Sequence, residues 1–195
     1  MTSKPYQVHH TALVATDQVG PGTRIWAFCN IQEGVRIGSD CNICDHCFIE
    51  QGVVIGDRVT IKNGVALWSG VTLEDDVFVG PGAVFTNDVY PRSKAYLERP
   101  ATTLVRRGAT IGANATVVAG HSIGAYAFIG AGAVLTKDAP DFSLWLGNPA
   151  RQVGFVCKRG KRLHFALGPG GAMKATGAGG EAYVLKDGLV RLVGE

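Results

Sequence analysis

Reading every sixth residue from Val19 gives an unbroken aliphatic or aromatic series: Val19, Ile25, Ile31, Ile37, Ile43, Ile49, Ile55, Ile61, Leu67, Leu73, Val79 and Phe85. The residue four places further on is small or β-branched each time, from Thr23, Cys29 and Val35 through Cys41, Cys47 and Val53 to Val77 and Ala83. Gly, Asp, Asn and Pro crowd the positions between. A period of six is neither the 3.6 of a helix nor the simple alternation of a strand. It describes a short strand and a tight corner, repeated. Three such units close a triangular coil of about 18 residues. Coils stack about 4.8 Å apart through parallel ladder hydrogen bonds. The inward aliphatics then form columns that make the core, and small residues fill the corners, where larger ones would clash. The expected fold is all-β, a parallel β-helix of hexapeptide repeats.

The register resumes at Val105 and continues through Ile111, Val117, Ile123, Ile129 and Leu135, with Ala109, Ala115, His121, Ala127, Ala133 and Ala139 at the inward fourth positions. The step from Phe85 to Val105 is 20 residues, which is not a multiple of six, so an insertion at about 88–103 interrupts the array. That insertion is polar, aromatic and punctuated by Pro91 and Pro100. A loop of this length inside a compact repeat array is usually functional. Val8 and Val14 read as a ragged first turn, one residue out of step. Residues 1–154 are expected to form the solenoid and 155–195 a short tail. Within the tail, 166–182 is Gly/Ala-rich and reads as flexible, while 183–193 reads as a hairpin turning at Asp187-Gly188. The tail has the outline of a zinc ribbon, but its single cysteine, Cys157, cannot hold zinc in that way.

Gly accounts for 27 of 195 residues, about twice the usual ~7%, which argues against a helical bundle. The net charge of +3 is too mild to indicate nucleic-acid binding. Basic residues gather late (Arg99, Arg106, Arg107, Arg151, Lys158, Arg159, Lys161, Arg162). They would meet phosphate groups of a small ligand or form a solvated basic face. No apolar run is long enough for a membrane span, and the start, Met1-Thr2-Ser3-Lys4-Pro5-Tyr6, lacks a signal-peptide core. A cytoplasmic protein with reduced cysteines is expected. Cys29, Cys41 and Cys47 fall on fourth positions, where a small buried hydrophobe is wanted. That favours packing over a Cys41-x-x-Cys44-x-x-Cys47 metal site, since Cys44 has a different phase.

The same period sorts the outward residues. Trp26, Phe48 and Val84 are apolar yet point out, as at an interface between copies; the ragged N-terminus or the tail is the alternative cover. A second set stacks Gln32, Glu50, Trp68 and Thr86 beside Glu33, Gln51, Ser69 and Asn87, with Asn87 last before the insertion. Asp45, His46 and Asn63 share the corner near the apolar face, and Asp40, Asp57, Asp75, Asp76 and Arg58 read as a solvated edge.

Several segments carry a resemblance: Asn42-Ile-Cys-Asp-His-Cys-Phe-Ile-Glu50, Thr60-Ile-Lys-Asn-Gly-Val65, Leu73-Glu-Asp-Asp-Val-Phe-Val-Gly80, Phe85-Thr-Asn-Asp-Val-Tyr-Pro-Arg-Ser93, Gly108-Ala-Thr-Ile-Gly-Ala-Asn-Ala-Thr116 and Leu146-Gly-Asn-Pro-Ala-Arg151. They resemble the hexapeptide-repeat acyltransferases and, within them, the nucleotide-sugar 3-N-acetyltransferases that serve bacterial surface polysaccharides. The resemblance spans about residues 8–165. It implies a left-handed coil, against the usual crossover rule. It implies acetyl-CoA as donor, a UDP- or dTDP-linked 3-amino-3-deoxy sugar as acceptor, no metal, and a homotrimer with active sites between subunits. Asn87 matches the family's Asn beside the reacting amine, His46, Asn63 and Glu50 match positions of the family motif, and Arg92 and Ser93 match the loop's Pro-Arg-Ser; Glu50, Asn63, Arg92 and Ser93 are thereby candidate substrate contacts. Trp68, stacked beside Asn87's column, joins them as a candidate substrate contact. Asn148, Pro149 and Arg151 match the CoA end. Small Ala131 and Gly132 would let the pantetheine arm approach, and Lys137 and Arg151 would meet its phosphates. Sialic-acid-precursor relatives carry a His-Asp-Cys triplet with a catalytic His; here the order is Asp45-His46-Cys47.

The expected mechanism is direct attack of a neutral amine on the thioester in a ternary complex. Backbone N–H groups would stabilise the oxyanion, Asn87 would position the sugar, and His46, steered by Asp45 or Asn63, would be the base. A purely hydrogen-bonding His46 at the trimer seam and a substrate-assisted reaction are the alternatives. Rival functions are a sugar O-acetyltransferase, a serine acetyltransferase and a non-catalytic β-helix scaffold. A γ-class carbonic anhydrase would need three zinc-ligating His on adjacent coils, which the His spacing does not supply.

Overall fold

A computed structural model describes residues 5–95, 98–168 and 171–194; Tyr96 and Leu97 of the insertion lie outside the described residues. Two-residue strands alternate with corners from Gln7–Val8 onward and build three parallel sheets, the faces of a triangular solenoid. The first face stacks Gln7–Val8, Arg24–Ile25, Asn42–Ile43, Thr60–Ile61, Phe78–Val79, Thr110–Ile111, Phe128–Ile129 and Ser143–Leu146. The second stacks Leu13–Val14, Asn30–Ile31, Phe48–Ile49, Ala66–Leu67, Val84–Phe85, Thr116–Val117 and Val134–Leu135. The third runs from Arg36–Ile37 through Val54–Ile55 and Val71–Leu73 to Thr103–Val105, and isolated bridges at Val19, Ile123 and Ala139 extend it.

Partners on adjacent coils are 18 residues apart, as in Ile25↔Ile43 and Ile31↔Ile49. This register is what superimposes the sixth-residue aliphatics. Ile31, Ile43, Ile49, Ile61, Leu67, Ile111, Val117, Ile129 and Leu135 are all fully buried in one continuous core. Three departures matter. The first coil is one residue short, pairing Val8 with Ile25. The insertion leaves after Asn87, yet the chain re-enters in register, pairing Val71 with Thr103 and Leu73 with Val105. The corner before Ala139 is two residues shorter than its neighbour, since Ile123 bridges Ala139. As a consequence His121, expected to point inward, is half-exposed, and its Nδ1 lies 3.6 Å from Asp138 Oδ1.

Corners are where coil-to-coil ladder bonds lapse, so their N–H groups need other partners. Side chains one coil away, on either side, supply them. Asp45 accepts from Ala27 N–H (3.0 Å), Asp57 from Ser39 (2.7 Å), Asp75 from Asp57 (2.9 Å), Glu50 from Ser69 (2.8 Å) and Gln32 from Gln51 (3.1 Å). The edge carrying Asp57 and Asp75 is thus a backbone-capping column. Arg58 ties it together, reaching Asp76 at 2.7 Å and Asp75 at 3.4 Å, and holds the Asp76 carboxyl below the usual carboxylate range. The corner between the second and third faces needs φ from 74° to 92°, and Gly34, Gly52, Gly70 and Gly120 occupy it. At the other corners φ spans about 55–75°, and non-Gly residues such as Asp40, His46, Arg58 and Tyr126 are accepted near 55–60°.

The solenoid ends in an antiparallel pair, Ser143–Leu146 with Arg151–Phe155. Beyond it a four-stranded antiparallel sheet forms from Ala166–Leu167, Met173–Thr176, Ala182–Lys186 and Leu189–Leu192. Residues 166–182, read above as flexible from composition, therefore contain two paired strands; the antiparallel partner, not side-chain bulk, orders them. The last two strands turn at Asp187-Gly188, with both residues at positive φ. This sheet packs on the solenoid through a small core of Phe142, Cys157, Leu163, Ala175, Tyr183 and Val190.

Candidate active site

The insertion leaves the solenoid at the corner between the second and third faces and folds back over it. Asp88 Oδ1 accepts the Tyr90 N–H at 2.8 Å, an Asx-type turn that starts the excursion. A tight turn bridges Arg92 and Ala95, and Arg92 Nη1 donates to Pro91 O at 2.9 Å. Between loop and coil lies a recess of about 390 Å³ lined by Glu50, Ser69, Asn87, Asp88, Pro91, Arg92, Ala95 and Pro100. Glu50, Asn87 and Arg92 are thus brought together from two coils and the loop. One Glu50 oxygen is engaged by Ser69 N–H; the other and the Asn87 amide make no hydrogen bond among the described residues. A carboxylate, an amide and a guanidinium in one open recess match the donors and acceptors of a sugar.

Trp68 sits at the same corner but faces away from this recess. Its indole N–H donates to Phe85 O at 2.8 Å and its ring packs on Phe48, 5.5 Å between centroids. It fixes the corner from which the loop departs. Ser93 is exposed at the tip of the turn and does not line the recess. Asp88, Pro91 and Pro100, which do, were not singled out from sequence; the Asx residue immediately after Asn87 was the available signal.

His46 lies elsewhere, on the corner between the first and second faces. Its ring is exposed and stacks on Phe28 one coil back, 5.0 Å between centroids and 13° from parallel. The expected steering by Asp45 or Asn63 is absent. Asn63 Nδ2 donates to Asp45 Oδ2 at 3.0 Å while Ala27 N–H takes Oδ1, so both carboxylate oxygens are used along the corner column. At a corner, consecutive side chains diverge, and Asp45 and His46 go separate ways. Beneath them Cys29 Sγ donates to Cys44 O at 3.0 Å and Cys47 Sγ to Lys62 O at 3.3 Å. The hydrogen bond with Cys29 and burial drive the Cys47 thiol far up, and burial also raises Cys44. All three thiols are buried in the corner packing.

Ala131 and Gly132 occupy the same corner column as His46, with Gly64, Gly82 and Asn114 between them. Four coil spacings separate His46 from Gly132, about 19 Å. Asn148 and Pro149 lie next to this corner, in a turn that caps the second face through Val134 N–H to Gly147 O (3.0 Å) and Ala150 N–H to Val134 O (2.8 Å). Arg151 Nη1 donates to Ala150 O at 3.1 Å. Lys137 is separate from this group. It is exposed on the short corner between the second and third faces, beside Asp138, which accepts from Ser122 N–H.

In a single chain, then, the recess at the loop exit and the His46–Gly132 column lie on opposite edges of the second face. That face exposes Leu13 and Val84, with Phe28 at its edge; exposed Trp26 follows the first-face strand Arg24–Ile25. Among the described residues no group of three or more His, Cys, Asp or Glu is arranged to hold a metal, and no helix is long and apolar enough to cross a membrane.

Repeat, register and loop define a hexapeptide-repeat transferase, and the chain belongs to that family. The description "Bacterial transferase hexapeptide (six repeats)" matches residues 18–51 and 52–87, and "Hexapeptide repeat of succinyl-transferase" matches 107–137. More particularly, the chain is 51% identical over 88 residues to the dTDP-3-amino-3,6-dideoxy-alpha-D-galactopyranose 3-N-acetyltransferase of Aneurinibacillus thermoaerophilus, covering 45% of this chain and 43% of that protein. It is 50% identical over 62 residues to the bifunctional protein GlmU of Thermotoga petrophila, 30% of this chain and 14% of GlmU. The match thus spans less than half the length of either relative. The acetyltransferase domain of PglB from Neisseria gonorrhoeae superimposes with a TM-score of 0.56 at 22% identity, over 77% of this chain and 58% of that one. A point mutant of AntD, an N-acyltransferase from Bacillus cereus in complex with dTDP and coenzyme A, does so with 0.56 at 16%, over 79% and 84%. These superpositions establish the fold, the left-handed β-helix of the family.

Proposed function

We propose that the protein is an acetyl-CoA-dependent N-acetyltransferase acting on the 3-amino group of a UDP- or dTDP-linked 3-amino-3-deoxy sugar, in the cytoplasm and as a homotrimer. The observation that carries this reading is the recess at the loop exit, where Asn87, Glu50 and Arg92 meet. The relative's 3-N-acetyltransferase name supports the reaction. The exposed apolar residues of the second face support the trimer. Three copies with parallel axes and second faces turned to a threefold axis would cover its apolar residues. The same arrangement sets the His46–Gly132 edge of one copy against the recess edge of the next. A threefold rotation keeps height along the axis, so His46 of one copy meets the coil of Glu50 in its neighbour, and Gly82 meets that of Asn87.

In that seam acetyl-CoA lies along the column of small corner residues, its far end at the 147–151 turn, and the sugar occupies the recess. Asn87 holds the sugar with its neutral amine against the thioester carbonyl. Attack forms the C–N bond, backbone N–H groups of the seam stabilise the oxyanion, and collapse breaks the C–S bond to release CoA. The amine proton leaves to His46 or to the departing thiolate. The test is thiol release and product mass with a panel of nucleotide-linked 3-amino sugars and acetyl-CoA. Turnover is expected with at least one of them, together with a raised melting temperature in acetyl-CoA. Asn87→Ala and His46→Ala should each lower kcat. Absence of turnover and of any thermal shift would overturn the reading, and near-wild-type kcat in both variants would remove these residues from it.

A further inference from the structure

Lys158 and Arg159, part of the late basic cluster, line a recess that acyl transfer does not use, with Arg107 beside its Tyr126 wall. It measures about 340 Å³ and lies between the first face and the 157–160 turn of the tail. Its walls are Tyr126 and Phe128, with Thr110 between and Asp76 at the rim; Lys158 and Arg159 close it from the tail. Lys158 Nζ stands 5.3 Å from the Tyr126 ring centroid, and the Arg107 guanidinium 5.8 Å from it.

Two features mark this as a built site. The aromatic wall is held from behind: Tyr126 stacks on Phe142 at 5.3 Å and 12°, and Phe142 meets Tyr183 edge-on at 5.4 Å. The Tyr183 hydroxyl accepts the Lys158 N–H at 3.0 Å, so one aromatic stack positions both wall and cationic turn. The charge is also unbalanced. Asp76 is taken by Arg58 through two contacts of 2.7 and 3.0 Å. Arg107 and Arg159 form no ion pair among the described residues. Like charges held around one recess repel, and an anion between them relieves that repulsion.

We propose that this recess binds a nucleoside phosphate, outside the acyl-transfer site. The phosphate would lie against Arg159 and Lys158, the base against Tyr126 and Phe128, and the Thr110 hydroxyl would bond the ribose or a phosphate oxygen. The volume falls in the range of about 300–1,000 Å³ usual for small-ligand pockets. A bare anion would leave the aromatic walls unfilled. The recess belongs to the corner between the third and first faces, away from the second face, so both sites can be filled together.

The test is calorimetric titration of TMP, UMP and AMP, with inorganic phosphate and uridine as separate arms, into the wild type, Lys158→Glu/Arg159→Glu and Arg92→Ala. At least one nucleoside phosphate should bind the wild type and Arg92→Ala alike, and the double variant should lose roughly tenfold or more of that affinity. Phosphate and uridine should each bind more weakly than the nucleotide. Amide shifts at Thr110 and Gly160 of the wild type on adding the bound nucleotide place the ligand independently of the variants' folding. The proposal is overturned if no nucleotide binds, if Arg92→Ala loses the binding and the double variant keeps it, if phosphate alone binds as tightly, or if those shifts are absent. Because the readout is binding, a failure here is distinct from a failure of the acyl-transfer reading.

Discussion

Gly112→Ala tests the stacking logic of the solenoid at the corner next to the proposed donor tract. A Cβ on Gly112 would stand 2.5 Å from Ala131 N, 2.7 Å from Gly130 C and 2.8 Å from Ala131 Cα, all backbone of the next coil. Relief to ordinary contact means opening the two coils by nearly an ångström at that corner. The Gly112 N–H to Ile129 O bond, now 2.7 Å, would stretch past useful length. Overpacking costs about 1–3 kcal/mol and each lost ladder bond about 1 kcal/mol, so about 3 kcal/mol is expected in total. For a chain of this size each kcal/mol moves Tm by about 2–4 °C, which gives a fall of about 6–12 °C. Gly120→Ala is the control, since a Cβ there has nothing within 4 Å and only φ = 84° opposes it, at about 1–2 kcal/mol. Scanning fluorimetry with and without acetyl-CoA separates the two. Gly112→Ala should melt lower than Gly120→Ala and respond less to acetyl-CoA, because its distortion falls on Ala131 and Gly132. A Gly112→Ala protein melting with the wild type would refute the claim that coil spacing is rigid here.

Thr23→Val should cost about 1–3 kcal/mol by urea unfolding, because the buried Thr23 hydroxyl donates to Gly38 O at 2.7 Å and accepts Cys41 N–H at 3.0 Å; an unchanged midpoint would show those bonds to be worthless. Burial raises the Cys41 and Cys44 thiols above their ordinary 9.0, so the folded state keeps protons that the unfolded chain releases. Their contribution is complete below pH 9.0 and is lost as pH climbs through the folded values. Urea midpoints should therefore fall more steeply above that pH in the wild type than in Cys41→Ala/Cys44→Ala; equal slopes would count against it. Val84→Asp places a charge on the second face and should yield a folded but smaller species by sedimentation, with turnover lost; an unchanged sedimentation coefficient would remove that face from the assembly.

The core was readable from sequence because the 18-residue register turns chain spacing into spatial columns, as Ile25, Ile43 and Ile61 show. The loop exit at Asn87 was readable because it breaks that phase. The corners were harder. A carboxylate there looks the same whether it awaits a ligand or caps an N–H one coil away, and Glu50 does the second while lining the recess. Adjacency misled at Asp45-His46, since neighbouring side chains part at a corner. His121 escaped its inward position because the following coil is short, a fact visible only once pairing is known. In the tail, Gly/Ala composition concealed strands that depend on their partners.

The pairing of Val71 with Thr103 across the excursion has an evolutionary consequence. Ladder and columns pass beneath the loop as though it were not there. Its length and side chains can therefore drift without retuning any aliphatic underneath. On the proposed reading, acceptor preference becomes a cassette that mutation can exchange while the scaffold stays untouched.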